Sequence, residues 1–513
     1  MGDVARLAGE TLCVGVPGHA IDEATRDELS ALAPGAFVLF ARNISSLAGT
    51  RELVAALLAA AGGDEPALVC VDQEGGRVAR VRFHEALPSM MALGATGDAA
   101  LAERTGGRLA ADLRAIGANV NFAPVLDLAL EGASTVIGTR SLGGDPQAVG
   151  ELGAALVRAM ESAGIATAPK HFPGHGATAL DSHTALPTVT TSVAELQVRE
   201  LVPFAAAFAA GARAVMSAHV VVTALDAARP ATLSPAVLTT LLREKLGFDG
   251  VCFTDCLQMD AIAQSVGTAR AAALALAAGA DCCIVSHDLG LAREARDAIV
   301  AAVREGSLPY ERLAAAAARV GTLRRMLENE RATTAAPQDG ELAREIAARA
   351  VTRVAGDVRL DSGAAVTVVS FEGATADGIA AGAAERPSLG LALRRRRMRA
   401  ELLRVPLEPD PAMRETLLDV LALQGQRNVV IVARRAHVHR AQRETIVQLL
   451  GIAPHAIAVS ALEPFDIGAL AGARGVLCIF GDEEASIEAL ADVLCGRAHA
   501  RGSLPVAAPS AVR

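Results

Sequence analysis

The sequence predicts an α/β protein: a TIM-type (β/α)8 barrel over residues 1–330, a linker over 331–345, and a smaller C-terminal α/β sandwich domain over 346–513. Two observations carry this. Short apolar runs alternate with Ala/Leu/Arg-rich stretches of helical period, and the unit recurs eight times in the first 330 residues. Ionisable residues also gather at or just past the C-terminal ends of those runs, which in a barrel form one rim where chemistry collects. The length agrees, because 513 residues exceed one ordinary domain.

Taken in order, the strand-like runs are 11–16, 37–40, 67–72, 119–127, 165–171, 214–221, 250–255 and 282–286. Periodicity alone would also allow an open, doubly wound sheet. The positions of Asp72, Asp127, Lys170, His171, His219 and Asp255 at run ends favour the closed form. A helical stretch at 310–330 precedes a polar break at 331–340, with Pro337 and Asp339-Gly340, that reads as the linker. Beyond it, runs at 365–371, 428–433, 456–460 and 475–480 predict a second sheet of four to six strands.

Composition narrows the function classes. Hydrophobic residues reach 52% and aromatics only 3%, so Val, Leu, Ile and Ala must fill a large core. A net charge of −9 argues against a broad nucleic-acid surface, and the basic run at 394–397 reads as a solvated face. The N-terminal MGDVARLAGE has no secretory pattern, and no apolar run reaches membrane length. The eight cysteines form no CxxC pair, which points to a reducing, cytoplasmic location and to no structural zinc. No cofactor, nucleic acid or membrane partner is expected, and nothing in the sequence speaks to oligomeric state.

Three segments carry chemistry. Residues 170–183, KHFPGHGATALDSH, hold three His, a Lys and an Asp among Gly/Pro breakers, which suits a loop leaving a barrel strand. His171 and His175 are four apart, but Pro173 and Gly174 exclude the helix that would align them on a metal. In an extended segment Asp181 and His183 point the same way, so the carboxylate can fix the imidazole tautomer for acid/base work. A DxH triplet alone also occurs as a plain surface hydrogen bond. Asp255 ends an apolar run in FTDC, where it could attack a sugar C1 or merely cap the following helix. The third segment is DQEGGRVAR at 72–80, whose paired glycines allow a tight turn close to a ligand. Asp72 and Arg80 there, and Arg140 in IGTRSL, suit sugar hydroxyls; a structural arginine is the other reading of Arg140.

With these residues in view, the chain resembles glycoside hydrolase family three, and within it the β-N-acetylglucosaminidases of bacterial cell-wall recycling. DQEGGRV at 72–78, NFAPVLD at 121–127, IGTRS at 137–141, KHFPGHG…DSH at 170–183, SAHVVVTALD…PATLSP at 217–235 and FTD at 253–255 carry the match, in order. The resemblance implies Asp255 as nucleophile, His183 as acid/base and Asp181 as its partner. It also implies that Asp72, Arg80, Arg140, Lys170 and His171 bind the N-acetylglucosamine unit. The sequence departs from the pattern at Ala177, where many relatives carry Asp. Minimal members of this branch have only the barrel, so the C-terminal domain is an addition with no residue expected to reach the site.

The implied reaction is metal-free, retaining exo-hydrolysis of terminal β-linked N-acetylglucosamine from peptidoglycan-derived (muropeptide) fragments through a glycosyl–Asp intermediate. Two rivals would use the same site: a phosphorylase, because a His repels phosphate less than a Glu would, and a β-glucosidase. A catalytically inactive sugar-binding protein is the rival from another class.

Overall fold

The computed structural model describes residues 2–62, 65–132, 136–178, 186–330, 339–373, 388–423 and 427–507. Eight parallel strands form the first sheet: β1 Leu12–Val14, β2 Ala36–Leu39, β3 Leu68–Val71, β4 Val120–Asn121, β5 Ala166–Thr167, β6 Ala214–Ser217, β7 Val251–Cys256 and β8 Cys282–Val285. Each pairs with its sequence neighbour, and β8 returns to β1. The last gap, between β5 and β6, is bridged past the end of β5. The Met216 amide donates to Pro169 O at 3.0 Å, and the Phe172 amide donates to Met216 O at 2.8 Å. A doubly wound sheet is excluded and the barrel expectation holds.

Where runs 119–127 and 165–171 predict longer strands, only two residues of each are regular. Pro124, Pro169 and Pro173 have no amide proton to give the ladder, so the chain continues extended but unpaired in places. That irregular stretch carries the site.

The barrel interior is filled by small and medium side chains from alternate positions, among them Cys13, Cys70, Ala166 and Cys282, around an edge-to-face pair of Phe122 and Phe253. Val320, Leu323 and Leu327, on the helix Tyr310–Glu330, pack against this interior core. Neighbouring positions such as Cys252 and Cys283 face outward into the helical layer. All eight cysteines are free, and six are buried as the small hydrophobes that the sequence suggested.

The second sheet has six strands: β9 Thr352–Gly356, β10 Ala365–Glu372, β11 Arg399–Pro406, β12 Asn428–Ala433, β13 Ile457–Ser460 and β14 Gly475–Cys478. Their order is β9-β14-β13-β12-β10-β11, parallel throughout except for β9. The helix Leu342–Ala350 starts inside the range read as linker and packs against Met90–Thr96 of the barrel and Glu484–Leu494 of the second unit. The final segment returns to the barrel, where the Ser503 amide donates to Ala95 O at 2.9 Å and the Gly144 amide to Pro505 O at 2.8 Å.

The basic run 394–397 is only partly the solvated face expected. Arg396, with its side chain 8% exposed, folds down onto the last helix and pairs with Glu488 at 2.5 Å and Asp492 at 2.7 Å. Among the described residues no helix is long and apolar enough to cross a membrane.

Candidate active site

A cavity of about 540 Å³ opens at the C-terminal ends of the barrel strands. Its floor is the top of the interior core, with Val38, Phe122, Met216 and Ile284. Its walls carry Asp72, Arg80, Arg140, Lys170, His171 and Asp255. Every described residue to which the sequence assigns a catalytic or sugar-binding role is therefore on this cavity. Asp181 and His183 lie outside the described residues.

One wall is an ion-pair network. Lys170 Nζ sits 2.6 Å from Asp72 Oδ1 and 2.6 Å from Glu74 Oε1. Arg140 grips the same Glu74 with two bonds of 2.8 Å, from Nε and Nη2. Two cations thus face two carboxylates, so little net charge is buried, and each member has hydrogen-bonding partners. Burial alone would raise the Glu74 carboxyl, but Arg140 and Lys170 outweigh it and hold it well below the usual carboxylate range. Burial opposes the Lys170 charge too, yet Asp72 and Glu74 raise it, so the ammonium stays protonated. Asp72 remains 17% exposed on its side chain, enough to present an oxygen to a ligand.

Gly75 and Gly76 hold φ of +100° and +56°, the left-handed region that the paired glycines anticipated. A Cβ on Gly76 would meet Ser89 at 2.8 Å, so the turn needs glycine for space as well. Gln73 then clamps the loop, accepting from the Arg80 and Val81 amides at 2.8 and 3.0 Å. This brings the Arg80 guanidinium to 5.9 Å from the centre of the Phe40 ring, at the cavity wall.

Asp127 organises the opposite loop. Its carboxylate accepts from His171 Nδ1 at 2.6 Å and from the His171 and His175 amides at 3.2 and 2.6 Å. Burial opposes its charge, but His171 and the His175 amide prevail and lower its pKa. With Nδ1 engaged, the His171 ring is fixed in orientation where it lines the cavity. Burial pushes His175 down to about 4, so at neutral pH it is an uncharged wall.

Asp255 lies within β7, half-buried on the cavity, with Oδ1 accepting from the Cys256 amide at 2.7 Å. The next helix, Asp260–Ala263, has Met259 at its N-cap position, so Asp255 is not the residue that caps it. His219 does not line the cavity. It bridges Thr232 Oγ1 at 2.9 Å and the Cys256 carbonyl at 3.0 Å, bracing the backbone beside Asp255.

Glu74, which ties the ion-pair network together, and Asp127, which orders the His171 loop, carry no binding role in the sequence reading. The signal was available: Glu74 sits two residues after Asp72, and Asp127 ends a strand run.

Residues 7–323 match the family described as glycosyl hydrolase family 3 N terminal domain. A β-hexosaminidase of Stenotrophomonas maltophilia (strain K279a) is 41% identical over 283 residues, spanning 54% of this chain and 83% of that protein. A β-hexosaminidase of Pseudomonas aeruginosa (strain LESB58) is 43% identical over 257 residues, spanning 50% and 75%. Among solved structures, the family 3 β-N-acetylglucosaminidase of Paenibacillus sp. str. FPU-7 superposes with a TM-score of 0.91 at 34% identity. That likeness covers 98% of this chain and 99% of the other, second sheet included. A β-glucoside phosphorylase shares the fold, with a TM-score of 0.78 at 20% identity. The chain belongs to glycosyl hydrolase family 3, as a glycoside hydrolase of its β-hexosaminidase type.

Proposed function

We propose that the protein is a retaining exo-β-N-acetylglucosaminidase that releases terminal N-acetylglucosamine from peptidoglycan-derived fragments through a covalent glycosyl–Asp255 intermediate. The observation that carries the reading is a strand-end carboxylate, Asp255, lining the same cavity as Asp72, Arg140, Lys170 and His171. A cavity of about 540 Å³ floored by the barrel core suits one terminal sugar more than a threaded polymer.

In this reading Asp72, Arg80, Lys170 and His171 hold the sugar hydroxyls and acetamido group, and Arg140 orders Glu74 and Lys170 beneath them. Asp255 attacks C1 as His183 protonates the departing glycosidic oxygen. His183 then takes a proton from water, which hydrolyses the glycosyl ester with net retention. Asp181 fixes the tautomer of His183. These last two roles rest on the family resemblance of the DSH segment. Residues 1–330 are the catalytic unit and 346–513 the second domain, joined by 331–345. The free cysteines suit a cytoplasmic enzyme.

The test is release of 4-nitrophenol from its β-N-acetylglucosaminide by wild type and Asp255→Ala, with and without phosphate, alongside the β-glucoside. Phosphate-independent turnover of the N-acetylglucosaminide, lost in the variant, is expected. A phosphate requirement with sugar 1-phosphate as product, or preference for the glucoside, would overturn the reading. Release of N-acetylglucosamine from isolated muropeptides tests the natural substrate.

A further inference from the structure

The Arg140-bearing turn of the barrel is backed by a carboxylate from the second domain. Glu463 follows β13 and is 1% exposed. Its two oxygens are gripped by Arg435, from Nε at 3.3 and 3.2 Å and from Nη2 at 3.1 Å. Its own carbonyl accepts from Ser460 Oγ at 2.9 Å, so the side chain departs from a fixed base. The far end reaches the barrel. A Cβ built on Gly138 would overlap Oε1 of Glu463, and Gly138 has φ +45°, so both space and backbone demand glycine there. Gly138 opens the turn Gly138–Arg140.

The contact continues into the site. Arg140, two residues on, clasps Glu74, which holds Lys170, which holds Asp72. Arg77, within the DQEGGRV segment, bonds Val136 O at 3.3 Å, and its charge together with Arg435 keeps the Glu463 carboxyl lowered despite burial. Arg140 Nη1 bonds the same Val136 O at 3.1 Å. Glu463 therefore stands behind the two segments that aim Arg140 and Glu74 into the cavity.

We propose that Glu463 is a positioning residue for the sugar site: by holding the Gly138–Arg140 turn it sets the Arg140–Glu74–Lys170 network, so substrate binding by this barrel depends on the second domain. The inference rests on the reading of that network as the sugar-binding wall.

The experiment is steady-state kinetics of the full-length chain on 4-nitrophenyl β-N-acetylglucosaminide, for Glu463→Gln, Glu463→Asp, Arg435→Gln, Arg140→Ala and the double variant Glu463→Gln/Arg140→Ala. Glu463→Gln keeps the shape and is expected to lower kcat/KM by roughly tenfold to a hundredfold, mainly through KM. Arg435→Gln, which removes the guanidinium that grips the carboxylate, should act in the same direction. Glu463→Asp should recover part of the loss. The double variant should be no worse than Arg140→Ala, because both changes break one chain of contacts. Wild-type kcat/KM in both Glu463→Gln and Arg435→Gln would overturn the proposal. So would losses that simply multiply in the double variant, the mark of a structural ion pair independent of Arg140. Wild-type kinetics in Arg140→Ala would instead sink the sugar-wall reading, and the inference with it.

Discussion

The two sheets of this chain obey one rule and use it differently. In both, polar residues gather beyond the C-terminal ends of the strands. At the barrel rim, Asp72, Lys170, His171 and Asp255 surround a cavity of about 540 Å³. At the rim of the second sheet, Arg434 pairs with Asp482 at 3.2 Å, Arg435 with Glu463, and His437 with Asp466 at 2.7 Å. There the charges pair with one another, and the rim is turned toward the barrel. Ser89 Oγ donates to the Phe480 carbonyl at 2.5 Å, and Glu463 lies against Gly138. Strand-end chemistry marks a place where groups can converge; whether it becomes a site depends on the space left above it.

The largest effect that sharpens this contrast lies at the barrel rim. Asp255→Asn should lower kcat by about 10³-fold or more while leaving the melting temperature near wild type, because it removes the group that bonds to the sugar. Near-wild-type kcat would break the contrast at its centre.

Next comes Glu74→Gln. It leaves Lys170 and Arg140 buried with less compensation, so a stability loss of about 3–5 kcal/mol is expected from denaturant unfolding, together with lost activity. Stability unchanged within error would show that the network is not the frame of the wall.

Acidity should separate the two rims. His175 falls from 6.5 to about 4 on folding, so the unfolded chain binds more protons between these values and stability drops as pH falls through that window. The lowered Glu74 acts in the same direction below its ordinary value of 4.5. Glu483, beside the domain contact, behaves oppositely. Burial and the neighbouring Asp482 push it up to about 8, so the folded chain holds the extra proton and stability declines as pH rises from 4.5 to 8. Between pH 4.5 and 6.5 the two contributions oppose one another, so urea midpoints should be nearly flat there and fall from 6.5 to 8; Glu483→Gln should remove that fall and uncover a rise with pH up to 6.5. An unchanged alkaline slope in that variant would contradict the assignment.

The smallest effect is expected at the basic run. Arg395→Ala should leave kcat/KM and melting temperature unchanged, since its pairs with Glu484 and Glu488 are solvent-exposed. A clear activity loss there would mean that the outer face of the second domain also matters.

Much of this was legible in the sequence, for physical reasons. Strands of a parallel sheet buried on both faces leave continuous apolar runs, and all eight barrel strands were found that way. The edge strands β9 and β11 escaped notice because they are largely solvent-exposed and carry charged residues. Site residues at strand ends were visible one by one. Their partners were not, because Arg140 and Glu74 are 66 residues apart and Lys170 and Asp72 are 98 apart. Glu463 belongs to no motif at all. Its position emerges only when the second sheet docks; among the described residues none of that domain lines the cavity, and Glu463 reaches only the turn behind Arg140.

The most direct test of the central assignment is mass spectrometry of the enzyme after reaction with a slow 5-fluoro-N-acetylglucosaminyl fluoride, followed by digestion. A single added sugar on the peptide bearing Asp255 is predicted, lost in Asp255→Asn. A sugar carried on any other residue, or turnover of the reagent by the variant, would contradict it.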